Sequence, residues 1–124
     1  MAIDPGMHGT TYGGGPLACH VALEFFDILE ELMPSINSVG SYFRMRLTEL
    51  AQKHKFIKEV RGAGLMIGVE LAIPGKQMVV DGIEEGLLFN CTHETVLRFL
   101  PPYILTEQDV ERAVSSLDNI FGKY

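Results

Sequence analysis

Two places in the sequence carry groups able to hold a small anion. The first is His8-Gly9-Thr10-Thr11-Tyr12-Gly13-Gly14-Gly15-Pro16. Backbone N–H groups of a glycine run that enters a helix, with hydroxyls beside them, suit a phosphate. The run is not a nucleotide loop, because no Lys-Ser/Thr pair follows its last glycine. Nor is it a dinucleotide fingerprint, because no strand is legible before it. On spacing alone, a plain entry loop is the better reading. The second place is Arg98, inside Val96-Leu97-Arg98-Phe99-Leu100. A guanidinium there either meets a carboxylate or phosphate, or lies on the wet face of an alternating strand. Spacing leaves both open. Arg61, just before Gly62, reads as ion-paired or solvated.

Other chemistry finds little footing. The histidines are His8, His20, His54 and His93, and the cysteines are Cys19 and Cys91. No C-x-x-C and no H-x-x-x-H is present, so no metal site is expected. Nothing in the sequence pairs a cysteine nucleophile with a histidine base. Glu30-Glu31 and Glu84-Glu85 read as solvated helix ends. The net charge of -6, with no basic patch, argues against nucleic acid or an anionic membrane as partner. No apolar run approaches the ~20 residues of a membrane helix. Met1 to Met7 has no basic region followed by an apolar core, so no signal peptide is read there. Two cysteines make no disulfide framework, and reduced thiols in a cytoplasmic chain are the simpler expectation. At 47% hydrophobic and 21% charged, 124 residues suffice for one compact domain.

The elements that must position these groups follow from periodicity. Pro16 suits a helix start, and Ala18, Val21, Ala22, Phe25, Ile28, Leu29 and Leu32 share one helical face. Pro34 is expected to stop that helix. A second helix is read from near Ser35 to Lys53–Lys55, with Ile36, Val39, Phe43, Leu47 and Leu50 as its stripe. Phe56 to Arg61 and Leu65 to Leu71 read as strands, bent or bulged at Gly62-Ala63-Gly64. The second is nearly all apolar, hence central. A short helix follows over Lys76 to Glu85, ended by Gly86. Leu87 to Cys91 and Val96 to Phe99 read as further strands. Thr106 caps a last helix, whose stripe runs Val110, Ala113, Val114, Leu117, Ile120, Phe121. Neighbouring strands with short links predict an α+β two-layer fold, a small antiparallel or mixed sheet with helices on one face.

Three stretches, taken in order, resemble class III aminotransferases of fold type I. His8 to Cys19 is similar to the family's H-G-[ST]-T-[FY]-G-G-x-P-L-A segment. Val60-Arg61-Gly62-Ala63-Gly64-Leu65-Met66-Ile67-Gly68-Val69-Glu70-Leu71 is similar to its V-R-G-x-G-L-M-x-G-x-E-L strand pair. Gly86-Leu87-Leu88 with Arg98-Phe99-Leu100-Pro101-Pro102 is similar to its G-L-L…R-x-x-P-P ending. Asn90 to Tyr103 most resembles the acetylornithine enzymes of arginine biosynthesis. Ornithine, succinylornithine and 4-aminobutyrate enzymes share the framework.

The resemblance implies three regions. Residues 1–15 would be a glycine-rich loop of the cofactor region, 16–33 a connecting helix, and 34–124 the C-terminal small domain. It implies that Thr11, with Thr10 beside it, contacts the phosphate of pyridoxal 5'-phosphate across a homodimer interface. It implies that Arg98 pairs with the substrate α-carboxylate, the partners being small amino and keto acids. The family's Schiff-base lysine and the aspartate under the pyridine nitrogen lie upstream of the glycine segment. Lys53, Lys55, Lys58, Lys76 and Lys123 all follow it. No catalytic residue is therefore expected in this chain, which should bind no cofactor and be inactive alone. The rival reading is a stand-alone α+β domain that binds a small molecule.

Overall fold

The computed structural model describes residues 6–124, so the first five residues of the predicted loop lie outside it. The chain divides into two units between Met33 and Pro34. The elements are α1 (Pro16–Lys53), β1 (Ile57–Ala63), β2 (Met66–Leu71), α2 (Lys76–Glu84), β3 (Asn90–Thr92), β4 (Val96–Phe99) and α3 (Glu107–Phe121).

One expectation fails at Pro34, which lies inside α1 rather than ending it. Proline lacks the N–H that would bond the Glu30 carbonyl. Both residues are exposed, so water can serve that carbonyl. The apolar phase also does not break. At about 100° per residue, Leu32, Ile36, Val39, Phe43, Leu47 and Leu50 continue one stripe, and Pro34 falls on the opposite side.

The sheet has the order β1-β2-β4-β3, antiparallel throughout. β2 is therefore interior, as its apolar run predicts. Alternation decides its faces: Ile67, Val69 and Leu71 are buried with Leu97 and Phe99 of β4, while Met66, Gly68, Glu70 and Arg98 face outward. Helices cover only the apolar face. Phe43 of α1 meets Phe99 edge-on, with ring centroids 5.8 Å apart, and Phe121 of α3 meets Phe56 at 5.7 Å. Each fully buried side chain of this size contributes on the order of 1.5–3 kcal/mol. The result is the α+β two-layer fold.

Two close approaches set the register of the layers. Gly40 of α1 lies so near the β1–β2 turn that a Cβ there would stand 2.2 Å from the Gly64 carbonyl oxygen. Arg44, one helical turn on, donates to the same oxygen from Nη1 at 3.0 Å. Gly64 itself has φ +52°, which few side chains tolerate. The strands are thus joined by a tight turn at Gly64-Leu65, with Gly62 still paired inside β1, whereas the strand irregularity falls between Ile57 and Glu59.

The strand expected from Leu87 begins only at Asn90. Leu87 N–H is spent closing α2, where it donates to the Gly82 carbonyl at 2.7 Å beside Gly86 at φ +76°. At the other end, Thr106 caps α3 as read. Its hydroxyl accepts from Asp109 N–H at 3.2 Å, and the Asp109 carboxylate accepts from Thr106 N–H at 3.1 Å.

Candidate functional site

The glycine segment belongs to the first unit. Thr10 Oγ1 accepts from Gly13 N–H at 3.3 Å, and a Cβ on Gly13 would meet Thr10 Cγ2 at 2.1 Å. Gly14 has φ +81°. Gly14 thus takes a conformation suited to glycine where the segment folds back, before Cys19 N–H bonds the Gly15 carbonyl at 2.9 Å and α1 begins. Thr10 and Thr11 are both exposed. The Thr10 hydroxyl accepts a bond within the loop, whereas Thr11 forms none among the described residues.

Arg98 belongs to the second unit and lies on the open face of the sheet. A row of four residues crosses that face: Arg61 of β1 opposite Gly68 of β2, Gly68 opposite Arg98 of β4, and Arg98 opposite Asn90 of β3. Directly opposed residues share a face, so the two arginines flank a position without a side chain.

Their electrostatics differ. Arg61 is spent on its own sheet, with Nη1 3.0 Å from Glu59 and Nη2 2.8 Å from Glu70. The bond from Arg61 holds the Glu70 carboxyl below the usual carboxylate range, and the same bond raises the Arg61 guanidinium. Arg46 and Arg112 likewise meet carboxylates. Arg98 does not. Its Nε donates to Asn90 Oδ1 at 3.2 Å, and no ion pair forms among the described residues. A depression of about 250 Å³, lined by Leu88, Phe89, Asn90, Arg98 and Leu100, lies at this group. An exposed guanidinium beside apolar walls is a carboxylate receptor in chemical terms.

A larger hollow of about 400 Å³ adjoins this depression, sharing Leu88, Phe89 and Leu100 with it, and runs between α3 and the segments around Leu87 and Pro102. Its only charged lining residues, Asp109 and Arg112, sit 3.6 Å from each other, so it offers no spare charge to an acid. No cluster of metal-ligating side chains exists among the described residues. No helix among them is long and apolar enough to cross a membrane.

Sequence reasoning named Thr10, Thr11 and Arg98, and the structure sets the threonines and the arginine in different units. It missed Asn90. The register that reveals it is that of the hairpin: with a three-residue turn at His93-Glu94-Thr95, counting outward puts residue 90 opposite residue 98.

The family model described as aminotransferase class-III matches residues 1–121, and the chain belongs to that family. An acetylornithine aminotransferase of Methanocaldococcus jannaschii is 47% identical over 97% of this chain and 31% of its own length. An ornithine aminotransferase of a Geobacillus species is 42% identical over 96% of this chain and 30% of its own. Among solved structures, acetylornithine aminotransferase from Elizabethkingia anophelis superposes with a TM-score of 0.83 at 31% identity, covering 98% of this chain and 34% of that one. An ornithine aminotransferase from Toxoplasma gondii, with partial occupancy of PLP at its active site, gives 0.79 at 39% identity, covering 95% and 29%. The chain thus spans about a third of the length of the curated relatives it matches.

Proposed function

We propose that this chain is the C-terminal third of a cytoplasmic, homodimeric aminotransferase that moves an amino group between N-acetylornithine and 2-oxoglutarate in arginine biosynthesis. Residues 1–15 form its phosphate loop, 16–33 its connecting helix and 34–124 its small domain. The observation that carries the reading is Arg98, an exposed guanidinium with no carboxylate of its own, where a substrate α-carboxylate is needed.

The glycine segment fits a phosphate. Gly14, at φ +81°, folds the loop, and the Thr11 hydroxyl is not consumed by it. Thr11 would hold the pyridoxal 5'-phosphate of the partner subunit, with Thr10 shaping the loop beside it. When bound, that cofactor would supply the aldehyde that takes up the amino group and the ring that stabilises charge at the substrate carbon bearing that group. The residues of this chain bind and orient: Arg98 fixes the carboxylate at the depression lined by Leu88, Phe89 and Leu100. No lysine here stands before the glycine segment, so the chain alone should bind no cofactor covalently and turn over nothing.

The full-length enzyme is expected to show its highest kcat/KM with N-acetylornithine, against ornithine, N-succinylornithine and 4-aminobutyrate. A preference for ornithine would move the assignment to that branch of the family. In the same enzyme Arg98→Ala should raise KM for both amino donor and keto acid by about tenfold or more. The isolated chain, mixed with pyridoxal phosphate and borohydride, should yield no single stoichiometric lysine adduct. Such an adduct accompanied by turnover would overturn the proposal and favour a self-sufficient domain.

A further inference from the structure

We infer that Asn90 is a positioning residue for Arg98, setting which edge of the guanidinium meets the substrate carboxylate. The inference rests on the reading of Arg98 above and adds a specificity element to it.

A guanidinium can grip a carboxylate by its side edge, Nε with one Nη, or by its end, Nη1 with Nη2. Asn90 Oδ1 accepts from Nε at 3.2 Å and so occupies the side edge. Neither terminal nitrogen of Arg98 has a partner among the described residues, which leaves the end fork for a ligand. A side chain as long as arginine would otherwise sample many rotamers, and holding it in advance lowers the cost of ordering it on binding.

The backbone delivers Asn90 to this place by a strained device. β3 has three residues and β4 four, too few for pairing alone to define a register firmly. The link between them contains two consecutive left-handed residues that are not glycine, His93 at φ 49° and Glu94 at φ 64°. The loop has three residues, His93-Glu94-Thr95, and within it Thr95 N–H donates to the His93 carbonyl at 2.7 Å. The turn is pinned from outside: the Glu94 carbonyl accepts from Gly75 N–H at 2.8 Å and from the Cys91 thiol at 3.2 Å, and the Thr95 carbonyl accepts from Leu71 N–H at 2.8 Å. The pairs Thr92 with Val96, Cys91 with Leu97 and Asn90 with Arg98 follow. A slip of one residue would turn the Asn90 side chain to the covered face.

A double-mutant cycle in the full-length enzyme tests this, with N-acetylornithine and its α-carboxamide as donors. Asn90→Ala should raise KM for the acid about fivefold, with kcat within about twofold. It should leave the carboxamide unaffected and add nothing in an Arg98→Ala background. Asn90→Ser, which keeps an acceptor, should recover part of the loss. Unchanged melting temperature and cofactor absorbance will show that the variants fold. If Arg98→Ala raises KM and Asn90→Ala does not, Arg98 stays in the substrate site and the positioning role is wrong. An Asn90→Ala defect that persists undiminished without Arg98, or that falls equally on acid and amide, also overturns the role. An unchanged KM in Arg98→Ala removes both residues from the site.

Discussion

Replacing Gly40 by alanine sets two physical effects of opposite sign against each other. Alanine favours a helix interior by about 1 kcal/mol over glycine, so propensity alone predicts stabilisation. The new Cβ, however, would stand 2.2 Å from the Gly64 carbonyl oxygen and 2.7 Å from its carbon. Relief needs a shift of about 1 Å. The obstacle is backbone in a turn where Gly64 has φ +52°, so no rotamer change can provide the room. Overpacking costs about 1–3 kcal/mol, and a rigid partner places this case at the upper end. The shift also strains the 3.0 Å bond from Arg44. The net expectation is a loss of about 2 kcal/mol, or roughly 8–16 °C in Tm for a unit of this size. Far-UV circular dichroism melts of Gly40→Ala and Gly82→Ala provide the comparison. Both glycines are in helices and gain the same propensity, but a Cβ at Gly82 meets the Phe89 ring, 2.5 Å away at Cε1, and a ring can give. Gly82→Ala should therefore lose less. A Gly40→Ala protein that melts at the same temperature or higher would refute the close approach of α1 to the β1–β2 turn.

Three further outcomes are expected. Glu94→Gly relieves a left-handed residue whose exposed side chain bonds nothing, and should raise the urea midpoint by up to about 1 kcal/mol of stability while keeping the hairpin register. Tyr124 is pushed up to about 12 by burial and by its 2.7 Å bond to Asp81, above an unfolded value near 10. Its neutral form therefore contributes stability that is complete below about pH 10 and lost as pH rises toward 12; at 48% exposure the effect is about 1 kcal/mol, and Tyr124→Phe should flatten that alkaline limb in melts against pH. Bonds from Lys53 and then His54 hold Asp118 below its usual value, so its contribution is present above about pH 4 and falls away as pH drops through the lower folded value. Asp118→Asn should weaken that acid dependence.

The legible parts of this chain were those in which local chemistry and tertiary packing agree. Thr106 could cap α3 from sequence because an N-cap needs only its own next three residues. β2 was legible as interior because both its neighbours are strands and its run is apolar. Arg98 was legible as a candidate because its side chain contrasts with its neighbours. Pro34 misled because its local cost was weighed without the stripe phase, which passes through it unbroken from Leu32 to Ile36. The late start of β3 was hidden because Leu87 looks like a strand residue yet uses its N–H to close α2. Asn90 was invisible for a different reason: its role comes from a register, and a register is a relation between two strands.

That relation has an evolutionary side. The group opposite Arg98 is set by the number of residues between Thr92 and Val96 as much as by what is encoded at position 90. Substitutions at 90 change the neighbour's chemistry gradually, but a single inserted or deleted codon in the turn exchanges the neighbour outright. Indels in this hairpin should therefore be purged wherever the acid must be gripped end-on, and kept only in lineages whose arginine has found another brace.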